Sequence, residues 1–140
     1  MLYFVDTSYF FALASAEDPD HERVREVFEE FDPLRLTDLW ITTNHVVYET
    51  LRLTQRRIGH AAAVSMGRRL YSEKLARIHW TTSTEEKGAF AYLAKHKDQR
   101  YSPVDCLSFV VTEAYGINEA LTLDKHFTHR LIARPGPRSS

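Results

Sequence analysis

Four acidic residues sit where the sequence changes character: Asp6, Glu49, Asp105 and Asp124. Asp6 cuts off the apolar run Leu2 to Val5, and Asp124 follows the run Ala120 to Leu123. If both runs are strands of one parallel sheet, the two acids lie at its carboxyl edge, where such sheets form their ligand crevice. Asp105 interrupts an otherwise apolar helical segment, in one narrow stripe with Ser108 and Thr112 at 100° per residue. Glu49 projects from the border of the inner face formed by Val46, Val47, Thr50, Leu51, Thr54 and Ile58, with Arg52 and Arg56 beside it. Carboxylates crowded on one edge repel, and some must take up protons unless a cation joins them. Oxygen-only ligands suit Mg²⁺ or Mn²⁺ rather than zinc. A water activated by such an ion, beside a metal that stabilises charge on phosphorus, points to phosphodiester hydrolysis. Thr7, Ser8 and Ser108 could orient a carboxylate or a metal water, and Arg52 and Arg56 could meet an RNA backbone. Each acid also has a plainer reading. Asp6 and Asp124 suit helix N-caps, Asp105 complements a helix N-terminus, and Glu49 can pair with its neighbouring arginines.

The elements that must position these groups are legible from periodicity and punctuation. Leu2 to Val5 reads as a buried strand, and Asp6-Thr7-Ser8 offers caps for a helix over Tyr9 to Ala16. Asp18-Pro19 starts a second helix carrying Val24, Val27, Phe28 and Phe31, which Asp32-Pro33 breaks. Leu39 to Thr43 reads as a strand, with Asn44 capping a helix from His45 to Ile58 that stops at Gly59. A helix over Ala61 to Leu75, a strand over Ile78 to Thr81 and a helix over Ser83 to His96 follow. Ser102-Pro103 opens an apolar helix that Gly116 closes. Ala120 to Leu123 is the last strand, with a short helix or turn starting at Asp124. Strands alternating with helices predict an α/β domain with a central, mostly parallel sheet flanked by helices. Residues 1–134 form one domain in this reading, and Pro135 to Ser140 a flexible tail with no means of packing.

The 140 residues supply one core, and 44 % hydrophobic with 26 % charged residues is ordinary for a folded domain. No apolar run approaches the ~20 residues of a membrane helix, and the first residues lack the features of a secretory signal, so a cytoplasmic protein is expected. The single Cys106 excludes an internal disulfide and a cysteine-based zinc site; it should be buried and inert. A net charge of −1 means that any RNA contact must come from a local patch. The run Arg68, Arg69, Lys74 and Arg77 reads as a solvated face without an interleaved aromatic platform. Trp40 and Trp80 are expected in the core or in a subunit interface. No histidine pair has persuasive metal spacing; His126 reads as a turn or surface residue, and His45 as a cap or cleft residue.

The motifs together resemble the PIN-domain nucleases, specifically the VapC-like toxins of type II toxin–antitoxin pairs. Val5-Asp6-Thr7-Ser8 with Ala12-Leu13 is similar to the family's opening motif, and Thr42-Thr43-Asn44 through Tyr48-Glu49-Thr50 to its second. Ser102-Pro103-Val104-Asp105-Cys106-Leu107-Ser108-Phe109 resembles the third, and Thr122-Leu123-Asp124-Lys125-His126-Phe127 the fourth. All four occur in the family's order, over about residues 1 to 134; Cys106 departs from it, standing where a small residue is usual. The resemblance implies a PIN fold and a Mg²⁺- or Mn²⁺-dependent endoribonuclease with Asp6, Glu49, Asp105 and Asp124 at its acidic positions. It also implies a homodimer neutralised by a cognate antitoxin that blocks the acidic pocket. PIN domains of similar length also process RNA without an antitoxin. Two other readings compete. A phosphotransferase forming an aspartyl phosphate on Asp6 would want a second aspartate two residues on, where this chain has Ser8. A non-catalytic binding module would use the acids only as caps.

Overall fold

The computed structural model describes residues 2–31, 39–124 and 130–138. Its elements alternate as the punctuation predicts. Strand β1 (Leu2–Val5) leads into helix α1 (Thr7–Ala14), then α2 (His21–Glu30) and β2 (Leu39–Thr43). Helices α3 (Asn44–Arg57) and α4 (His60–Tyr71) precede β3 (Arg77–His79). Then come α5 (Ser83–Lys95), α6 (Pro103–Tyr115), β4 (Glu119–Leu121) and β5 (Ile132–Arg134).

The strands form one sheet in the order β3-β2-β1-β4-β5, with every neighbouring pair parallel. Phe4 is in register with Ile41 on one side and Ala120 on the other, and Val5 pairs Leu121. Residues 3–5 of β1 are fully buried because helices cover both faces, which is why this strand reads as an unbroken apolar run. The chain proceeds from β1 outward through β2 and β3, then returns to the other side of β1 for β4 and β5. The strand order therefore reverses between β1 and β4, and a crevice opens at the carboxyl ends of those two strands.

An aromatic cluster fills one side of the sheet. Phe31 stacks on Trp40 with ring centroids 3.9 Å apart, and Phe28 meets Tyr9, Phe10 and Trp40 at 5.7 to 5.9 Å. Trp40 is thus core, as expected. A second apolar cluster, Ala89, Cys106, Leu107 and Val111, joins α5 to α6. Cys106 is buried there, and burial pushes its thiol up, so it is inert as expected.

The structure corrects several sequence boundaries. The cap of α3 is Thr43, whose side chain accepts from Val46 N–H, rather than Asn44, whose Oδ1 instead accepts from Thr81 N–H at 2.9 Å. Helix α4 ends at Tyr71, four residues early, and the following turn puts Glu73 at φ 58°. Strand β4 stops at Leu121, so Thr122 and Leu123 separate Asp124 from the sheet. Strand β5 was not expected, and the tail that was to have no packing does pack through Arg138. Tyr9 Oη donates to the Pro135 carbonyl at 2.9 Å, and Arg138 N–H donates to Tyr3 Oη at 2.8 Å. Too short and too polar to announce itself, this segment is held by partners distant in sequence. The turn or helix expected after Asp124, and His126 with it, lies outside the described residues.

Phe28 joins α2 to α1 and β2 through its ring contacts. Phe28→Ala is expected to lower stability by about 3–5 kcal/mol. Urea unfolding followed by circular dichroism reads this directly, and a loss under 1 kcal/mol would mean that the aromatic cluster does not anchor α2.

Candidate active site

Asp6 stands at the end of the central strand and caps α1, its backbone extended at φ −94° and ψ 163°. Its backbone N–H donates to the Leu121 carbonyl at 3.2 Å, which locks it to the end of β4. Only 5 % of its surface is exposed. Three donors reach its Oδ2: Ser8 N–H at 3.4 Å, Ser8 Oγ–H at 3.0 Å and Thr122 Oγ1–H at 2.9 Å. The two hydroxyl oxygens are 3.1 Å apart. Each receives a backbone proton in turn, Ser8 Oγ from Leu123 N–H and Thr122 Oγ1 from Asp124 N–H, both at 2.9 Å. Since each hydroxyl already accepts from an amide, its single proton is free to point at the carboxylate. Two polarised relays, amide to hydroxyl to carboxylate, therefore converge on one oxygen.

These bonds favour the ionised carboxylate, yet burial opposes it more strongly. Burial raises the Asp6 pKa, the hydrogen bonds from Thr122 and Ser8 and the Thr7 backbone lower it, and the Asp105 charge raises it again; it stands at about 6. Thr7 lies beside Asp6 at the first turn of α1, and its buried Oγ1 has no hydrogen-bond partner among the described residues.

Asp105 realises its plainer reading in full. It occupies the third position of α6 and forms a reciprocal capping box: Asp105 N–H donates to Ser102 Oγ, and Ser102 N–H to Asp105 Oδ2, each at 3.0 Å. It remains half-buried and close enough to Asp6 to disfavour that residue's charge. The polar stripe below it turns inward upon its own helix. Ser108 Oγ donates to the Val104 carbonyl at 2.9 Å, and Thr112 Oγ1 to the Ser108 carbonyl at 2.8 Å. Ser108 thus spends its proton on the helix rather than on a carboxylate.

Glu49 sits half-buried on the second turn of α3, directly after the β2 edge. The expected pairing with Arg52 or Arg56 does not form; among the described residues these three side chains make no ion pair with one another. Asp124 is half-buried beside Thr122, and its side chain has partners of its own. Asp6 and Asp105 are therefore brought together electrostatically. Glu49 lies on α3 and Asp124 beyond the end of β4, and among the described residues the four acids do not close one metal cage.

Among the described residues, no three His, Cys, Asp or Glu side chains converge into a ready-made metal cage. Mg²⁺ does not require one, since it keeps several waters and is commonly bound by one or two carboxylates together with substrate phosphate. The Asp6–Asp105 pair meets that requirement. All its donors are oxygens, and a buried carboxylate held short of full ionisation is a group that a cation would relieve.

Thr122 is the functional side chain that sequence reasoning missed. It falls within the fourth motif, but nothing in its local sequence reveals a bond to a residue 116 positions away. Trp80, expected in the core or in a subunit interface, is not part of the core: 61 % of it is exposed.

Comparison with known proteins agrees with this geometry. The PIN domain family matches residues 3–130. The chain is 35 % identical over 127 residues to the 23S rRNA-specific endonuclease VapC20 of Mycobacterium tuberculosis, covering 91 % of this chain and 92 % of that protein. It is 28 % identical over 125 residues to ribonuclease VapC26 of the same organism, covering 89 % and 88 %. The crystal structure of M. tuberculosis VapC20, a sarcin-ricin loop cleaving toxin, superposes with a TM-score of 0.79 at 34 % identity, over 91 % of this chain and 93 % of that one.

Two outcomes follow from the buried carboxylate. In metal-free protein, folded Asp6 keeps its proton up to about pH 6, whereas an unfolded aspartate loses it near pH 4. Over that window the folded state binds more protons, so stability falls as pH rises, by about 3 kcal/mol above it. Asp6→Asn is expected to be the more stable protein in EDTA at about pH 7.5, with the gap closing below about pH 4. Urea unfolding at the two pH values measures this; a gap independent of pH would refute the burial argument. Thr122→Val, which removes one relay, should lower metal affinity or activity about 10- to 100-fold while the chain stays folded. Calorimetric Mn²⁺ titration reads the affinity.

Proposed function

Since this chain belongs to the PIN-domain family and is a ribonuclease of the VapC type, we propose that it cuts RNA at a Mg²⁺ site held by Asp6 and Asp105, with Glu49 and Asp124 completing its acidic surround. Mn²⁺ would serve in place of Mg²⁺, because both are hard cations that accept oxygen ligands. The observation that carries this reading is Asp6 itself, a buried carboxylate at the strand-order reversal, braced by Ser8 and Thr122 and near enough to Asp105 to feel its charge.

When bound, the cation supplies charge stabilisation at the phosphodiester and lowers the pKa of an attacking water. The residues of the chain prepare for it. Ser8 and Thr122 fix the orientation of the Asp6 carboxylate, and Leu123 and Asp124 N–H groups fix those hydroxyls. The capping box fixes the backbone at Asp105 and ties one carboxylate oxygen to Ser102 N–H. Glu49, half-buried and without an ion pair among the described residues, would hold a water at the edge of the site. The proton that burial holds on metal-free Asp6 up to about pH 6 must leave when metal enters, so metal binding should weaken as pH falls below about 6.

The relatives suggest the substrate. A ribosomal RNA loop is favoured by 35 % identity to a 23S rRNA-specific endonuclease over nearly the whole chain. The VapC resemblance supports a cognate antitoxin that covers the acidic crevice. It also supports a homodimer, for which exposed Phe90 above a groove lined by Ala89, Leu93 and Leu107 offers an apolar face. Among the described residues no helix is long and apolar enough to cross a membrane. We place the activity in the cytoplasm, where ribosomal RNA would be met.

The test is cleavage of purified ribosomes or ribosomal RNA by antitoxin-free protein. Discrete cuts should need Mg²⁺ or Mn²⁺, stop in EDTA, and fall at least 100-fold in Asp6→Asn and Asp105→Asn. Full activity in Asp6→Asn would overturn the assignment of this site.

A further inference from the structure

Helices α3 and α4 carry five arginines, Arg52, Arg56, Arg57, Arg68 and Arg69, against the single acid Glu49. Several arginines elsewhere are paired. Arg23 pairs Asp20, Arg25 pairs Glu22 and Glu29, and Arg134 and Arg138 both pair Glu119. Among the described residues Arg52, Arg56 and Arg68 form no ion pair, and all three are exposed. In a chain of net charge −1, this is a local excess of unspent positive charge.

Three aromatic side chains stand on the same surface. Helices α3 and α4 run antiparallel and approach closely at Gly67, where an added Cβ would lie 3.3 Å from Leu51 Cδ2. That register sets Tyr48, one turn before Leu51, against Tyr71, one turn after Gly67, where burial and the neighbouring Tyr48 phenol raise the Tyr71 pKa. Tyr71 in turn stacks near-parallel on Trp80, with planes inclined by 19° and centroids 6.4 Å apart. Tyr48 is 69 % exposed, Tyr71 44 % and Trp80 61 %. Among the described residues the ring contact made by Tyr71 and Trp80 is with each other. Arg52 lies one turn from Tyr48 on the same helical face, and Arg68 one turn from Tyr71. Tyr48 also immediately precedes Glu49, so the surface runs up to the catalytic edge. The basic run of α4 therefore does carry interleaved aromatics once Tyr71 and Trp80 are seen side by side.

We propose that Tyr48, Tyr71 and Trp80 form a base-stacking platform that seats unpaired nucleotides of the RNA substrate, while Arg52 and Arg68 hold the phosphates between them. Exposed rings stack bases of any sequence, and the flanking cations follow the backbone. The occupant is RNA rather than another protein chain because the arginines around the rings are uncompensated, and a polyanion supplies what they lack. The proposal rests on the ribonuclease reading above and adds the path by which substrate reaches the site.

The chain has two tryptophans, and Trp40 is buried, so quenching by a ligand reports on Trp80. Non-cutting Asp6→Asn protein would be titrated with a short single-stranded RNA and, in parallel, with inorganic polyphosphate. RNA should quench the fluorescence and polyphosphate should not, and Trp80→Phe in the same background should abolish the signal. In otherwise wild-type protein, Trp80→Ala and Tyr71→Ala should each raise KM about tenfold with kcat nearly unchanged. Absence of quenching at saturating RNA, or a KM within twofold of wild type in both variants, would overturn the platform. So would loss of self-association in Trp80→Ala with RNA affinity intact, which would make the surface a protein contact. If wild-type protein cuts RNA while these variants keep their KM, only the platform fails. If wild-type protein cuts nothing, the nuclease reading fails, and the fluorescence titration still decides the platform.

Discussion

A carboxylate placed in a nearly dry site at the end of a central strand is held by two hydroxyls that are themselves held by two amides. Much of the structure serves this arrangement. Asp6 reaches its position because β1 is fully buried and ends where the sheet reverses its order. Thr122 reaches Asp6 because β4 lies against β1 in register, Val5 beside Leu121. The hydroxyl of Thr42, donating to the Val5 carbonyl at 2.9 Å, pins the other flank of the same strand end. None of these contacts is strong alone, and a neutral hydrogen bond contributes only about 1 kcal/mol. Together they leave the carboxylate one orientation, which a metal-dependent site needs before the metal arrives.

Burial and hydrogen bonding pull the Asp6 charge in opposite directions, and burial prevails. The protein thus carries a destabilising feature at its centre that only a positive ligand relieves. Such tension belongs to binding sites more than to scaffolds, where an acid capping a helix would be left exposed. Asp105 illustrates that cap and ligand are not exclusive readings. Its capping box uses Oδ2 and holds the backbone at the helix start, and a cap that immobilises a carboxylate also aims it.

What the sequence made legible follows from the range of the forces involved. β1 and the helices α5 and α6, capped by Thr82 and Ser102, were readable because apolar runs and caps act within a few residues. Asp6 and Asp105 were readable because acids at strand ends and helix starts are punctuation as well as chemistry. The Thr122–Asp6 bond and the packing of residues 135–138 were not, since each depends on a partner more than 100 residues away, and β5 was not because it is three residues long and held by pairing with β4. For Trp80 the sequence left core and subunit interface open, and its exposure removes only the core. Glu49 lacked its expected arginine partners because nearby spacing on a helix permits an ion pair without compelling one.

The separation of 116 residues between Asp6 and Thr122 bears on when the enzyme exists. A chain emerging from the ribosome presents its first acid early, on a strand whose second neighbour has not yet been synthesised. Until Glu119 to Leu121 can dock beside β1, Asp6 has neither Thr122 nor the Leu121 carbonyl to fix it. Contacts so distant in sequence form late, because closing a long loop costs entropy before any contact repays it. The topology therefore acts as a timer: a polypeptide whose activity is directed against RNA fixes Asp6 only after the segment carrying β4 and Thr122 has been made.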